Sequence, residues 1–148
     1  MMILSLVAAA AFQGSNVPPT VTIAGPKAAV APNHLVKVTV KLKFADGLHG
    51  YQNPPSDQYE QPVTVKLKSG PVKLVSVAYP KGKDMKMAGA DKPTKVYSGD
   101  VSIPVTLKTS AKSGTVVLSV NYQQCTMAAC FPPSAVDAKV DLKVGKKK

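Results

Sequence analysis

Residues 36–44 read VKVTVKLKF, with an apolar side chain at every second position and lysine or threonine between them. Because successive side chains of a β-strand point to opposite faces, this alternation predicts a strand with one apolar face and one solvated face. Clusters of Pro, Gly, Asn and Asp separate this segment from others of the same kind. Clear alternation recurs at residues 63–67, 101–107 and 136–144, and further strands are predicted at 20–23, 72–79 and 115–122.

The one-sided character of these strands decides the predicted fold class. No segment shows the periodicity of an amphipathic helix. We therefore predict an all-β, immunoglobulin-like antiparallel β-sandwich, in which two sheets share a core of alternate side chains. The length of 148 residues suits a single domain and excludes a multidomain enzyme. Pro104 predicts an edge position for its strand, because proline has no N–H to donate to a neighbour.

The charge of the chain is strongly positive, with 19 basic residues against 8 acidic ones and a formal net charge of +11. Every basic residue is lysine, and aromatic residues make up 5% of the chain. Nucleic-acid recognition favours the guanidinium fork and stacking aromatics, so we expect no nucleic-acid partner. The lysines alternate with apolar residues and are interpreted as a solvated sheet face, and the surplus charge favours acidic partners or anionic membrane surfaces.

The apolar run ILSLVAAAAF at residues 3–12 predicts a signal peptide over residues 1–14. Ten apolar residues are too few to span a bilayer, and the alanines at residues 8–11 offer an A-x-A cleavage pattern. A buried N-terminal strand or a misassigned start is the alternative. We expect the β-sandwich domain to cover residues 15–145 and residues 146–148 to form a basic tail. The mature chain would then have no transmembrane segment and be periplasmic or secreted, in an oxidising compartment.

The chemistry of the chain is concentrated in Cys125 and Cys130, within YQQCTMAACFPP. Four residues separate them, so a hairpin between two strands would make them a cross-strand pair with Cα atoms about 4.5–5.5 Å apart, close enough for a disulfide. Closing so short a loop stabilises a fold comparatively little. The residues alone leave open whether the disulfide is structural or exchanges with a partner, since the spacing is not the C-x-x-C of thioredoxin-like proteins.

Four stretches of the sequence resemble a known family. They are GLHGYQNPPSDQYEQPVTVKL at residues 47–67, YPKGK at 79–83, VYSGDVSIPVTL at 96–107 and VNYQQCTMAACFPP at 120–133. The most specific motif is Y-Q-x-C-x4-C-x-P-P, supported by P-S-D-x-Y in the first long loop. Together these stretches resemble the N-terminal, periplasmic domain of the thiol:disulfide interchange protein DsbD, including secreted proteins built around that domain alone.

The resemblance implies an immunoglobulin-like fold in which Cys125 and Cys130 receive electrons from a thioredoxin-like protein and pass them to periplasmic disulfide-containing proteins. It also implies a cap loop that shields the cysteines. In addition, it implies aromatic side chains that lie next to the cysteines. By position, the flanking residues are His49 and Tyr51. Asp57 is a further near-site residue, interpreted as a loop cap rather than a proton acceptor. The cap loop maps to Met85, Lys86, Met87, Ala88 and Gly89.

The expected mechanism is thiol:disulfide exchange, which needs no metal and no organic cofactor. The sequence contains neither the transmembrane electron carrier nor the thioredoxin-like domain of full-length family proteins, so we expect it to depend on another protein for its reducing power. We also expect a monomer. Whether it is an enzyme, a protein-disulfide reductase, is left open. The rigid Phe131-Pro132-Pro133 segment after Cys130 predicts that the partner attacks Cys130 and that Cys125 is the resolving thiol.

Two other functions remain open at the level of sequence. A non-catalytic binding sandwich would carry an inert hairpin disulfide. A copper-binding module would use the soft sulfur ligands of Cys125, Cys130 and Met127 together with His49. The reduction potential of the cysteine pair separates an inert disulfide from an exchanging one.

Overall fold

The computed structural model describes residues 15–87 and 89–145. The predicted signal peptide, the predicted basic tail and Ala88 of the predicted cap loop lie outside these residues. The described part of the chain is all-β, as predicted, and contains no helix that could cross a membrane. Its eleven strands are β1 (Thr20–Ala24), β2 (Leu35–Lys43), β3 (His49–Tyr51), β4 (Thr64–Ser69), β5 (Val72–Val77), β6 (Lys83–Met85), β7 (Thr94–Ser98), β8 (Asp100–Thr109), β9 (Gly114–Tyr122), β10 (Gln124–Cys125) and β11 (Ser134–Leu142).

Two antiparallel sheets enclose the core of the immunoglobulin-like sandwich. One has the strand order β1-β2-β8-β5, and the other has the order β11-β9-β4. All seven predicted strands lie in these two sheets, because their apolar faces meet in the shared core. Fully buried core side chains come from both sheets and include Val38, Val40, Leu42, Ile103, Val105, Leu107, Val116, Leu118 and Val120.

A third, smaller antiparallel sheet has the strand order β10-β3-β7-β6 and was not predicted. Its strands contain only two to five residues, so they show no alternation that could be recognised in the sequence. Strand β3 lies between β2 and β4 in the sequence, β6 and β7 lie between β5 and β8, and β10 lies between β9 and β11. Strand β10 follows β9 after one residue, and β3 follows β2 after five residues that include the buried Phe44.

The predicted edge position of Pro104 is wrong, because β8 lies between β2 and β5. Pro104 is paired with Thr39 of β2, and its carbonyl accepts a hydrogen bond from the Ala78 N–H at 2.8 Å. Ala78 directly follows the last residue of β5. The N–H that proline lacks would have pointed to this same side, so the ladder between β5 and β8 ends here. An interior strand therefore tolerates proline where its neighbour stops.

Candidate functional site

Cys125 and Cys130 form a disulfide across a tight hairpin. They face each other as an antiparallel bridge, and hydrogen bonds flank them on both sides, from Thr126 N–H to the Ala129 carbonyl and from Phe131 N–H to the Gln124 carbonyl. The cysteines therefore occupy a non-hydrogen-bonded pair, which is the closer of the two antiparallel pairings. Their Cα atoms are 3.9 Å apart, closer than the separation expected from sequence.

The hairpin loop is ordered by the Thr126 side chain. The Thr126 Oγ1 atom accepts hydrogen bonds from the N–H groups of Ala128 and Ala129, each at 3.2 Å. The side chain of Met127, at the tip, is 54% exposed. The sequence therefore forms a closed turn that presents a small, weakly polar surface next to the disulfide.

The two cysteines differ sharply in exposure. Cys125 is the last residue of β10 and is completely buried, with 0% of its surface exposed. Cys130 lies outside the named strands at the end of the hairpin loop and is exposed. Of the two cysteines, Cys130 is therefore the residue that solvent reaches.

Tyr51 contacts both sulfur atoms. Its hydroxyl lies 3.5 Å from Cys130 Sγ and 3.6 Å from Cys125 Sγ. Burial raises the pKa of the Tyr51 phenol, and the negative charge of Glu60 raises it further. The hydroxyl therefore keeps its proton at neutral pH and can donate a hydrogen bond to a sulfur atom.

The position of Tyr51 is fixed by the small sheet and by the connection to β4. Its carbonyl accepts a hydrogen bond from the Val63 N–H at 3.0 Å, and Tyr51 also pairs with Pro62. The preceding residue, Gly50, packs so closely on Phe44 that an added Cβ would lie 2.7 Å from the ring. Strand β3 therefore packs directly on the sandwich core, and this packing determines where the Tyr51 hydroxyl lies.

His49 is placed beside the buried cysteine by the sheet register. It pairs with Cys125 on one side and with Ser98 on the other, and its side chain is 2% exposed. The ring packs edge to face with that of Tyr51, at a centroid distance of 6.4 Å. Burial lowers the pKa of His49, which keeps the imidazole neutral at pH 7.

Gln124 is a site residue that the sequence analysis did not single out, although it belongs to the quoted motif. Its side chain is 1% exposed, and its Nε2 atom donates hydrogen bonds to Asn16 Oδ1 at 2.7 Å and to the Val17 carbonyl at 2.8 Å. Gln124 therefore attaches the segment before β1 to the strand that carries Cys125. A contact over more than one hundred residues leaves no local signal in the sequence.

Asp57 lies in an exposed loop and caps it. Its carboxylate accepts a hydrogen bond from the Tyr59 N–H at 2.9 Å, and the Glu60 carboxylate accepts one from the Ser56 N–H at 2.9 Å. The structure thus gives Asp57 a loop contact. Of these two acidic residues, it is Glu60 whose charge affects Tyr51, and nothing in the sequence distinguishes it from other loop carboxylates.

The predicted cap loop begins at the far edge of the small sheet. Met85 ends β6, and β3 and β7 lie between β6 and β10 in the strand order. Met87 and Ala90 close a turn through a hydrogen bond of 3.1 Å, and Gly89 has a positive φ of 79°. The hydrogen bonds and strand pairings of the described residues do not join this segment to either cysteine. Shielding of the disulfide by this loop stays a prediction.

Three of the four candidate copper ligands are neighbours in this oxidised state, since Cys125 pairs with both Cys130 and His49. Cys125 and Cys130 are bonded to each other, the Met127 side chain lies at the exposed hairpin tip, and His49 is buried. Within residues 15–87 and 89–145, no cluster of three or more His, Cys, Asp or Glu side chains is arranged to hold a metal ion.

Among solved structures, the N-terminal domain of Neisseria meningitidis DsbD in the reduced form matches with a TM-score of 0.46 and 23% identity, over 80% of this chain and 82% of that chain. A complex between the DsbD N-terminal and PilB N-terminal domains from the same organism matches with a TM-score of 0.45 and 24% identity, over 84% of this chain and 80% of that chain. The search of curated proteins gives no match.

The family comparison covers nearly the whole sandwich. The family described as "Thiol:disulfide interchange protein DsbD, N-terminal" matches residues 20–142, from the first residue of β1 to the last residue of β11. The match includes the hairpin disulfide, Tyr51 and His49. The chain therefore belongs to the family of the N-terminal domain of the thiol:disulfide interchange protein DsbD.

Proposed function

We propose that this domain relays electrons by thiol:disulfide exchange through the Cys125–Cys130 pair, between a thioredoxin-like donor and disulfide-containing acceptor proteins. Family membership supports the reaction class. The observation that carries the proposal is the difference in exposure between the sulfur-bearing residues, since Cys130 is exposed and Cys125 is completely buried. An exchanging disulfide needs one accessible sulfur, and a protected second thiol prevents competing reactions.

The donor reduces the domain in two steps. A donor thiolate attacks Cys130 Sγ, the Cys125–Cys130 bond breaks, and its electron pair leaves on Cys125 Sγ. The second thiol of the donor then attacks the donor sulfur of this mixed disulfide and releases Cys130. The donor is oxidised to a disulfide, and the domain is reduced to a dithiol by the same two electrons.

Delivery to the acceptor repeats these steps in reverse order. The Cys130 thiolate attacks an acceptor disulfide, and Cys125 resolves the mixed disulfide by attacking Cys130 Sγ. The Tyr51 hydroxyl, 3.5 Å from Cys130 Sγ, is positioned to donate a hydrogen bond to the thiolate. This contact favours the ionised form, which is the reactive one.

The environment of Cys130 supports protein partners rather than small molecules. The hairpin tip is exposed from Met127 to Cys130, and Pro132 and Pro133 after it are exposed as well. These prolines lack N–H donors and fix the backbone on the approach side.

We place this reaction in the periplasm or outside the cell, where disulfides persist. We also assign the cap loop at Met85–Gly89 the role of limiting access to the cysteine pair.

Trapping of mixed disulfides tests the proposal. The Cys125→Ala variant retains the attacked thiol and lacks the resolving one. The partner is a thioredoxin-like protein with a single active-site cysteine, and that cysteine is first activated as a mixed disulfide. The variant should accumulate a covalent complex with this partner. The Cys130→Ala variant, whose remaining thiol is buried, should form at least about tenfold less complex at equal time. Non-reducing gel electrophoresis quantifies both. Equal trapping would remove the assigned asymmetry, and no trapping by either variant would favour an inert structural disulfide.

A further inference from the structure

The exchange steps leave one buried titratable side chain next to the disulfide without a role. The Nε2 atom of His49 is buried and has no hydrogen-bond partner in the described part of the chain. A buried polar atom without a partner is costly, because it has lost its hydrogen bonds to water without replacement. Its presence beside a reactive cysteine therefore requires an explanation.

The register of the small sheet puts four side chains in one row, in the order Cys130, Cys125, His49 and Ser98. Directly opposed residues of an antiparallel pair share a face, with Cβ atoms about 4.5–5.5 Å apart. Tyr51 lies on the same face, because it is two residues further along β3. The groups that face the imidazole in the sheet are therefore Cys125, Ser98 and Tyr51, and none of them carries a charge while the disulfide is intact.

We propose that His49 is the proton acceptor for the Cys125 thiol when Cys125 resolves a mixed disulfide on Cys130. This assignment rests on the proposed exchange function. The Nε2 atom accepts the proton of the Cys125 thiol, and Cys125 Sγ attacks Cys130 Sγ. The bond between Cys130 and the acceptor sulfur breaks, and its electron pair leaves on the acceptor sulfur. The domain dithiol is oxidised, the acceptor disulfide is reduced, and the proton on His49 passes to the departing thiolate.

The burial of Cys125 is what makes a local base necessary. A thiol in an apolar site holds its proton more tightly than one in water, and only the thiolate is nucleophilic. Solvent bases cannot reach a fully buried sulfur. Because burial also lowers the pKa of His49, the imidazole is neutral at pH 7 and its nitrogen is free to accept a proton.

A stopped-flow experiment measures the rate at which Cys125 resolves a mixed disulfide on Cys130. Reduced protein is mixed with one equivalent of 5,5′-dithiobis(2-nitrobenzoate), which first labels exposed Cys130. Cys125 then attacks this mixed disulfide and releases a second coloured thiolate, whose rate is followed by stopped-flow absorbance from pH 5.5 to 8.5. We expect His49→Gln to slow this second release by at least about tenfold at pH 6.5 and to make it rise steeply with pH, as for an unassisted thiol. The matched control is His34→Gln, at an exposed site, which should behave like the wild type.

The possible results distinguish a failure of the role proposed for His49 from a failure of the proposed exchange function. If wild type and His49→Gln show the same pH profile of the second release, the inference is wrong and the exchange function stands. If the wild type shows no intramolecular second release at all, both are wrong.

A measurement on the unaltered protein covers the case in which His49→Gln does not fold. The chain has two histidines, so the His49 imidazole can be followed by NMR with His34 as an internal reference. The His49 titration midpoint should lie at lower pH in the reduced protein than in the oxidised one, because a hydrogen bond from the protonated Cys125 thiol stabilises the neutral imidazole. An unchanged midpoint would overturn the inference.

Discussion

At the scale of single residues, the site is built from neighbours that the sequence separates widely. Tyr51 lies more than seventy positions before the cysteines, yet its hydroxyl contacts both sulfur atoms. The resemblance to the family indicated that His49 and Tyr51 flank the site, because both fall in the matching stretch at residues 47–67. It could not indicate their separate roles, which follow from burial and register. The influence of Glu60 on Tyr51 and the contacts of Gln124 depend on tertiary structure alone.

The first residue-scale prediction concerns the Tyr51 hydroxyl. Tyr51→Phe removes the donor beside Cys130 and leaves the ring in place, so the pKa of the Cys130 thiol should rise. A loss of about 1.4 kcal/mol of hydrogen bonding to the thiolate corresponds to about one pH unit and a tenfold lower rate of reaction at neutral pH. Alkylation of Cys130 by iodoacetamide across a pH series, in a Cys125→Ala background, measures both quantities.

The matched control for this prediction is Tyr59→Phe, because the Tyr59 side chain is 82% exposed. That variant should react like its parent. A Tyr51→Phe protein with an unshifted alkylation profile would show that the hydroxyl does not stabilise the thiolate.

At the scale of elements, β3 links the sandwich core to the redox hairpin. Gly50→Ala would bring a new Cβ within 2.7 Å of the Phe44 ring and 3.4 Å of Val63. Both neighbours are buried, so overpacking should cost about 1–3 kcal/mol of unfolding free energy and displace β3. Because β3 carries Tyr51, Cys130 should also lose reactivity. Urea unfolding and alkylation rates, measured on the same variant, test the two effects together.

Gly145→Ala provides the comparison for this element-scale prediction. Its added Cβ would make ordinary van der Waals contact, 3.6 Å from Ala29 Cβ. It should change the unfolding free energy by less than about 0.5 kcal/mol. Equal losses of unfolding free energy in the two variants would show that the contact between Gly50 and Phe44 does not position β3.

The seven core strands could be predicted from sequence because each has enough residues for alternation to appear. Residues 36–44 alternate without a break in the sequence, and residues 36–43 lie in β2 with alternating burial. The small sheet could not be predicted this way, since β3 has three residues and β10 has two. Their pairing is determined by contacts between distant segments, such as Cys125 with His49. Pro104 was misplaced for a related reason, because the end of a neighbouring strand is not visible in the strand that carries the proline.

At the scale of the whole molecule, the fold must survive both redox states if the pair exchanges. The disulfide closes a loop of only six residues, so the chain-entropy contribution to stability is about 2 kcal/mol. Most of the core cluster lies in the two larger sheets, and no residue of the disulfide loop at 125–130 belongs to it. We therefore expect reduction to lower the free energy of unfolding by about 2 kcal/mol while the far-UV circular dichroism stays the same.

Denaturant titration with and without reductant measures this difference in stability. A Cys125→Ala/Cys130→Ala double variant should match the reduced protein. Global unfolding on reduction would identify the disulfide as a structural requirement and would be incompatible with a relay.

The reduction potential of the Cys125–Cys130 pair tests the proposed function most directly. It is measured by equilibrating the protein in buffers of defined glutathione or dithiothreitol potential and quantifying free thiols by alkylation. An exchanging pair should be half reduced at a potential well above about −300 mV, within reach of thioredoxin-like donors and disulfide acceptors. A value below about −300 mV would mean a structural disulfide that resists exchange, and it would contradict the electron relay proposed for this domain.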